Sequence, residues 1–197
     1  MLGMKGRFIV FEGIDGAGKT TLIGKLVEYM VSEGKKVKTT AEPTSEPIGA
    51  LIRNGAAGMC QKAEALLFAA DRACHTEQIS DWMEEGYTVL CDRYYASSMA
   101  YQSAGLDGDA ADREWLAEIN RPIIREPDMT VLLDIDPETS MRRVGERGEA
   151  SRFEKTEFLR RVRAVYLELA SEKGFRVVDA SRPEENVFEE VLRIIGE

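Results

Sequence analysis

The chain has 197 residues and a formal net charge of −9 at neutral pH. This length suits one domain, residues 1–197, that can bury a full central sheet. Nucleic-acid binding depends on clustered cations that displace counterions, so the acidic balance argues against DNA or RNA as a partner. The expected ligand is therefore small.

Cysteine usage and hydropathy favour a reducing cytoplasm. Cys60, Cys74 and Cys91 are odd in number and contain no CxxC pair, which predicts neither a disulfide framework nor a zinc site. The apolar run Phe8–Phe11 is too short for a signal-peptide core. No stretch approaches the roughly 20 apolar residues that span a bilayer. We therefore expect a cytoplasmic protein with no membrane partner.

The first predicted unit is a strand, a glycine-rich turn and a helix. The segment Gly13–Thr20 matches G-x-x-x-x-G-K-[ST] completely and follows the predicted strand Arg7–Glu12. Such a loop points backbone N–H groups at one phosphate, and the helix N-terminus adds partial positive charge. Lys19 is then placed to bridge terminal phosphates, and the Thr20 hydroxyl can ligate magnesium. The alternative, a chance match, is disfavoured by the strand and helix that flank the loop.

Strands alternate with helices through the rest of the chain. The later predicted elements are a strand at Val37–Ala41, a helix at Ile48–Arg53, a helix at Ala63–Glu85, a strand at Tyr87–Cys91, a strand at Val131–Asp134, a helix after Pro137, a helix at Glu154–Lys173, a strand at Phe175–Val178 and a C-terminal helix. Five strands alternating with helices predict a three-layer α/β fold of the P-loop NTPase kind, with a five-stranded parallel sheet between layers of helices.

The long predicted helix carries two unlike faces. Phe68, Arg72, His75 and Ile79 lie on one face, and a mainly apolar stripe lies on the other, formed by Leu66, Leu67, Ala70, Ala73 and Cys74. An aromatic ring one turn from a guanidinium could clamp a base by stacking and hydrogen bonding. The alternative makes Phe68 ordinary core and Arg72 a solvated charge, and residue types alone favour that alternative.

Two carboxylates compete for the magnesium position at the end of a buried strand. Asp92 follows one apolar strand and Asp134 follows another. Because Arg93 comes directly after Asp92, we prefer Asp92. Asp136 and Pro137 fit better as the N-cap and first-turn proline of the next helix.

A cation-rich segment between about residues 139 and 155 is typical of a short helical lid. Gly145 and Gly148 interrupt it, and its arginines are Arg142, Arg143, Arg147 and Arg152. Such a segment suits a lid that closes over phosphates and excludes water. The alternative is a solvated helix face whose charges pair with Glu146, Glu149 and Glu154.

A phosphate loop does not by itself reveal what accepts the phosphoryl group. The Asn-Lys-x-Asp guanine reader of a GTPase is absent, and an ABC-type or motor ATPase needs a signature segment and usually a larger chain. A nucleoside kinase needs a general base beside a hydroxyl. A nucleoside monophosphate kinase needs none, because its acceptor oxygen is already anionic, but it must align two polyanions. Arg53, Arg93 and the lid arginines come from three segments, which fits this last class best.

Five blocks in order resemble the thymidylate kinase family over nearly the whole chain. They are Phe11–Thr21, Leu67–Arg72, Asp92–Tyr94, Ser98–Gln102 and the lid Arg143–Glu154. The resemblance implies ATP-dependent phosphorylation of dTMP to dTDP, towards dTTP, with Mg²⁺. It also implies a homodimer.

The resemblance further implies a role for each site residue, carried over by position. ATP is expected at Gly13, Asp15, Gly16, Ala17, Gly18, Lys19, Thr20 and Thr21, with Arg143 against the adenine and the Ala180-Ser181 backbone at its edge. For dTMP, Phe68 would stack on thymine, Arg72 would bond its carbonyl, and Ser98 and Gln102 would lie near the base. Asp15 would reach the 3′-hydroxyl, Tyr101 would fill the 2′-hydroxyl position, and Arg53 and Arg93 would hold the monophosphate. Lys19 and Arg147 would stabilise the moving phosphoryl, while Asp92 and Thr20 organise magnesium. These implied roles reverse the preference for a solvated Arg72.

Two departures from the family pattern, and two rival functions, remain at this point. Gly16 stands where some thymidylate kinases carry an arginine, so Arg147 becomes the expected catalytic donor. Ala41–Thr44 differs from the Arg-Glu-Pro-Gly-Gly of many relatives, which leaves the role of that loop open. The only histidine, His75, is not needed as a base. The rivals are a kinase for another pyrimidine monophosphate, such as dUMP, and a catalytically silent nucleotide-binding regulator.

Overall fold

The computed structural model describes residues 6–54, 59–105, 110–145 and 149–196, and the side chains of these residues except 149–154. Five strands and eight helices lie within these ranges. The strands are β1 (Phe8–Glu12), β2 (Val37–Ala41), β3 (Thr88–Asp92), β4 (Met129–Asp134) and β5 (Arg176–Asp179). The helices are α1 (Lys19–Ser32), α2 (Pro47–Arg53), α3 (Gln61–Glu84), α4 (Tyr95–Ala104), α5 (Arg113–Asn120), α6 (Pro137–Val144), α7 (Glu149–Lys173) and α8 (Glu184–Gly196).

The strands form one parallel sheet in the order β2-β3-β1-β4-β5. All five residues of the central strand β1 are buried. Because neighbouring residues of a strand point to opposite sides, burial of every residue means that both faces of the sheet are covered. α1 packs against α8, whereas α4 packs against α3, α5 and α7. The predicted five-stranded parallel α/β fold is therefore confirmed.

The strand register brings the two most informative loops together. Phe11 of β1 lies opposite Asp92 of β3, and the Arg93 backbone N–H donates to the Phe11 carbonyl at 2.9 Å. The glycine-rich loop after β1 and the turn after β3 therefore leave the sheet side by side. Ligands of open parallel sheets bind at this carboxyl edge.

Several element boundaries differ from those predicted. β3 and β5 each lie one residue further along the chain, and α7 begins at Glu149 rather than Glu154. α4 and α5 have no counterpart among the predicted elements. The cap of α4 comes from a distant strand, because the Glu12 carboxylate accepts from the backbone N–H groups of Tyr94 and Ser97 at 2.9 and 3.2 Å. A cap supplied from so far along the chain leaves no local sequence signal.

The buried face of α3 is the one that carries Arg72. Arg72 is only 1% exposed, and His75 and Ile79 are buried beside it. Leu66, on the apolar stripe, is 51% exposed. The interpretation of Arg72 as a solvated charge is therefore wrong, and the physical reason is a buried carboxylate partner described below.

None of the helices within the described ranges is both long enough and apolar enough to serve as a bilayer span.

Candidate active site

Two cavities meet at the carboxyl edge of the sheet. The larger, the base cavity, has a volume of about 400 Å³, and the smaller, the loop cavity, has a volume of about 310 Å³. Asp15 and Arg93 line both cavities, and the Arg93 guanidinium donates to the Asp15 carboxylate at 2.6 Å. The two cavities therefore share a wall formed by the Asp15 carboxylate and the Arg93 guanidinium.

The two cavities differ in the side chains that line them: those of the loop cavity are polar, whereas the base cavity also has aromatic rings. The loop cavity is lined by Asp15, Gly16, Gly18, Lys19, Thr20, Thr21, Asp92 and Arg93. The base cavity is lined by Asp15, Glu42, Pro43, Gln61, Glu64, Phe68, Arg72, Arg93, Tyr94, Ser97, Ser98, Tyr101, Gln102 and Phe158. The first set suits phosphates, and the second suits a flat ring with polar edges.

The glycine-rich loop is shaped for an anion. Gly18, the N-cap of α1, has φ +91° and supplies no side-chain cap, so the first N–H groups of α1 are free of such a partner within the described chain. Lys19 Nζ donates to the carbonyls of Gly13 and Ile14 at 3.0 and 3.2 Å. Burial, reinforced by the neighbouring Arg93 guanidinium, lowers the pKa of Lys19 to about 8. A bound phosphate would place a negative charge beside the Lys19 ammonium and so stabilise its protonated form.

Gly16 has no room for a side chain. Its φ is +76°, and a Cβ there would lie 2.8 Å from the Ser140 carbonyl oxygen and 3.1 Å from Val144 Cγ2. The buried Ser140 hydroxyl also donates to the Asp15 carbonyl, which ties α6 to the loop. Any larger residue at position 16 would have to displace α6. This packing explains why position 16 carries glycine.

Asp92 and Thr20 offer oxygen ligands to a cation. The Thr20 hydroxyl donates to Asp92 Oδ2 at 2.8 Å, while Asp92 Oδ1 is buried with no hydrogen-bond partner among the described residues. Hard divalent cations such as Mg²⁺ bind through one or two such oxygens and take their other ligands from water and phosphates. In the described part of the chain no cluster of three or more His, Cys, Asp or Glu could hold a metal. Thr20 and Asp92 therefore offer oxygen donors of the kind that a divalent cation takes.

The competing carboxylates have structural partners. Asp134 accepts two hydrogen bonds from Arg163, at 2.6 and 2.8 Å, which is a bidentate pair between β4 and α7. Asp136 accepts from the Thr139 backbone N–H at 3.0 Å and caps α6, with Pro137 in the first turn. The predicted N-cap role of Asp136 is thus confirmed.

Arg93 is held rigidly between the two cavities. Its φ is +70°, a left-handed conformation that is uncommon for arginine. Beyond Asp15, its guanidinium donates to Ser97 Oγ at 3.2 Å and to the Tyr101 hydroxyl at 3.4 Å, and lies 5.1 Å from the Tyr101 ring centroid. These contacts hold the strained backbone of Arg93 in place. Its guanidinium therefore lies at the boundary between the two cavities.

The base cavity offers unpartnered polar groups beside an aromatic ring. Phe68 lines it, and both side-chain amide atoms of Gln102 are buried without a hydrogen-bond partner in the described ranges. Buried polar atoms in native proteins are normally paired, so an unpaired amide that lines a cavity indicates a ligand. Ser98 lies beside them and accepts from Arg72 Nη2 at 2.9 Å. Phe68, Arg72, Ser98, Tyr101 and Gln102 are thus brought together as predicted.

Not all predicted site residues line a cavity. Arg53 donates to the carbonyls of Pro43 and Thr44 and lines neither space. Arg143 donates to the carbonyls of Ala180 and Gly16 at 3.0 and 3.4 Å, which joins α6 to the loop and to the turn after β5.

The remaining predicted positions are structural neighbours of the loop or lie outside the described part. Ser181 donates through its N–H and hydroxyl to Asp179, at 2.9 and 2.6 Å. Gly13 and Ala17 are buried, and a Cβ at Gly13 would lie 2.6 Å from the Leu133 carbonyl oxygen. Arg147 and the side chain of Arg152 lie outside what the structure describes.

Sequence reasoning missed seven of the residues that line the base cavity: Glu42, Pro43, Gln61, Glu64, Tyr94, Ser97 and Phe158. Glu42 had a usable signal, because it stands directly after β2, as Asp92 does at the end of β3. Ser97 had none, since α4 has no predicted counterpart, whereas Tyr94 belonged to the block Asp92–Tyr94 that resembles the family but was given no role there. Phe158 lies on α7, a helix from the other side of the cavity.

Comparison with known proteins agrees with this geometry. Residues 11–191 match the family model described as thymidylate kinase. A probable thymidylate kinase of Archaeoglobus fulgidus is 43% identical over 95% of this chain and 93% of its own length. A thymidylate kinase of Pelotomaculum thermopropionicum is 44% identical over 98% and 94%, and a probable thymidylate kinase of Pyrobaculum aerophilum is 41% identical over 95% of both. Because the match covers nearly the whole chain, including both cavity-forming loops, the chain belongs to the thymidylate kinase family.

Proposed function

We propose that the loop cavity holds ATP and the base cavity holds dTMP, with their phosphates facing each other at Asp15 and Arg93. The reaction follows from family membership: the chain phosphorylates dTMP to dTDP at the expense of ATP. The observation that carries the arrangement is the shared wall, because two phosphate chains that enter from opposite sides would meet at the Arg93 guanidinium. The comparisons favour neither a dUMP-type kinase nor a silent regulator.

The donor half of the site is the loop Gly13–Thr21. Its backbone N–H groups and Lys19 hold the β- and γ-phosphates, and Arg143 with the turn at Ala180 borders the adenine. Thr20 and Asp92 would hold Mg²⁺, which neutralises phosphate charge and orients the transferred group when it is bound. Arg147 from the lid stabilises the charge that develops on the moving phosphoryl.

The acceptor half is the base cavity. Phe68 stacks on thymine. The polar edge of the base is bound by Arg72, Ser98 and Gln102, and Tyr101 excludes a 2′-hydroxyl. Arg93 binds the 5′-phosphate, and Arg53 braces the Pro43-Thr44 backbone at the rim. No group has to remove a proton, because the attacking phosphate oxygen is already anionic. The position of His75 agrees with a reaction that needs no general base, since His75 lines neither cavity.

A homodimer is the proposed assembly. Large apolar side chains on and near α2 and α3 are exposed: Leu51 at 47%, Met59 at 40% and Leu66 at 51%. Exposed apolar surface of this kind favours association. Sedimentation should give twice the chain mass. Leu66→Glu should shift it towards the monomer, whereas Val31→Glu, an equally exposed site on α1, should not.

A cytoplasmic location is proposed on the chemistry of the thiols. Cys60, Cys74 and Cys91 are all free. Free thiols persist in a reducing compartment.

The direct test of the proposed function is a substrate panel. The protein with MgATP is mixed in turn with dTMP, dUMP, dCMP, dGMP and AMP, and the release of ADP is followed. We expect the highest kcat/KM with dTMP. Faster turnover of another monophosphate would show that it, and not dTMP, is the acceptor. No turnover of any monophosphate would indicate a catalytically silent nucleotide-binding protein.

A further inference from the structure

A chain of buried polar groups runs behind the base cavity, from the β2 edge to Arg72. Glu42 follows β2 and is 5% exposed. Its Oε2 lies 2.8 Å from Arg72 Nε and 2.7 Å from Arg72 Nη2. Its Oε1 lies 3.0 Å from His75 Nδ1, and His75 Nε2 lies 2.6 Å from the Thr40 hydroxyl. Of these groups, only Glu42 and Arg72 line the cavity itself.

We infer that Glu42, held in place by His75, is a positioning residue that leaves Arg72 one aimed hydrogen-bond donor, and that this donor selects pyrimidines with an oxygen rather than an amino group at C4. The inference rests on the proposed function and assigns a role to the loop that departs from the family pattern.

The donor count supports the inference. A guanidinium has five N–H donors in a fixed plane. Arg72 Nε and one N–H of Nη2 point to Glu42, and the other N–H of Nη2 points to Ser98 Oγ. One N–H of Nη1 donates to Asn120 Oδ1. One N–H therefore remains without a partner among the described residues, on a side chain that lines the cavity.

A single fixed donor discriminates by chemistry. A carbonyl oxygen at C4 of a pyrimidine accepts from it, whereas an amino group places donor against donor. A site that must leave a buried polar group unpaired rejects the wrong ligand strongly. If the guanidinium could turn away, no N–H would be held opposite the C4 substituent and this selection would weaken.

His75 fixes the carboxylate that fixes the guanidinium. A carboxylate oxygen accepts, so His75 Nδ1 donates to Glu42 Oε1 at 3.0 Å. His75 Nε2 pairs with the Thr40 hydroxyl at 2.6 Å. With both imidazole nitrogens paired, Glu42 has one orientation, and its second oxygen stays on Arg72.

The first experiment replaces the charge of Glu42. Glu42→Gln keeps the shape but offers one acceptor oxygen to two donor partners. We expect the KM for dTMP to rise about 10- to 100-fold, the range for a charge-assisted hydrogen bond, with the KM for ATP changed less than about 3-fold. The ratio of kcat/KM for dTMP over dCMP should fall about 10-fold or more. The matched control is Glu46→Gln, which removes an exposed charge from the same loop, away from both cavities.

The second experiment separates positioning from packing. His75→Leu fills the space without a donor, whereas His75→Asn can place an amide donor near the Nδ1 position. We expect His75→Leu to raise the KM for dTMP about 10-fold and His75→Asn to recover most of that loss, with thermal unfolding of each variant recorded in parallel. A purely structural role predicts that KM for both substrates follows stability and that Asn gives no rescue.

The outcomes are distinguishable from failure of the proposed function. If wild-type protein does not phosphorylate dTMP, the proposed function fails. If it does, but Glu42→Gln keeps the wild-type KM and the wild-type preference over dCMP, the positioning role alone is overturned. If Glu42→Gln does not fold, the His75→Leu and His75→Asn pair decides, and equal KM values for dTMP in that pair overturn the inference.

Discussion

Lys19 gives the sharpest test of the electrostatics of the site. Its ammonium is buried, and its pKa in the free protein is lowered to about 8 because burial disfavours the charge and Arg93 adds repulsion. The charged form binds phosphate. The protonated fraction is then about 0.9 at pH 7 and about 0.1 at pH 9. We therefore predict that kcat/KM for ATP falls about tenfold between these pH values, since this parameter reports the free enzyme.

The assay is ADP release at an ATP concentration well below KM, with saturating dTMP, from pH 6.5 to 9.5 at constant ionic strength. At saturating ATP the same decline should move to higher pH, because the bound triphosphate favours the ammonium. Neighbouring phenols and the buried thiol do not confuse the result: burial raises the pKa of Tyr94 to about 12 and places the pKa of Cys91 well above its usual value.

Lys19→Arg is the control, because a guanidinium does not titrate in this range. The variant should be slower at every pH but flat across it. A wild-type profile that stays level to pH 9.5, or a Lys19→Arg profile that declines in parallel, would show that Lys19 does not control ATP capture through its charge.

Three further substitutions test separate parts of the site. Phe68→Ala should raise the KM for dTMP about 10- to 100-fold by loss of stacking and leave that for ATP nearly unchanged; equal effects would place the base elsewhere. Gly16→Ala should lower the thermal midpoint by several degrees, since left-handed backbone costs about 1–2 kcal/mol and the new Cβ meets the Ser140 carbonyl at 2.8 Å. The control Gly24→Ala, with open space around it, should not. Arg147→Ala should lower kcat by roughly two to four orders of magnitude without unfolding the protein, and wild-type turnover would refute its role.

Local patterns predicted the parts of the site that are built locally. The glycine-rich loop and Asp92 are each recognisable from one strand and the turn that follows it. The alternation of strands and helices was enough to predict the five-stranded sheet. Arg72 shows where such reasoning ends. Its guanidinium is buried only because Glu42, 30 residues earlier in the chain, and Asn120, 48 residues later, are folded against it. Periodicity along one helix cannot register partners of this kind.

The same limit applies to α4 and to the rim of the base cavity. α4 owes its N-terminal cap to a strand more than 80 residues away. The family resemblance implies that Arg53 holds the monophosphate, and in the folded chain its guanidinium donates to the backbone of Pro43 and Thr44. In both cases the decisive contact is tertiary, so only the assembled fold reveals it.

The Glu12 carboxylate links the two halves of the site mechanically. It belongs to the strand that enters the phosphate loop, yet its four hydrogen bonds go to Tyr94 N, Ser97 N, Ser97 Oγ and the Tyr166 hydroxyl. The segment that presents Arg93 and the α4 residues Ser98, Tyr101 and Gln102 is therefore clamped to the strand that positions Lys19. Donor and acceptor pockets consequently form one preassembled block. Engineering a new acceptor preference is safest on α3, whose residues Phe68 and Arg72 line the base cavity and not the loop cavity.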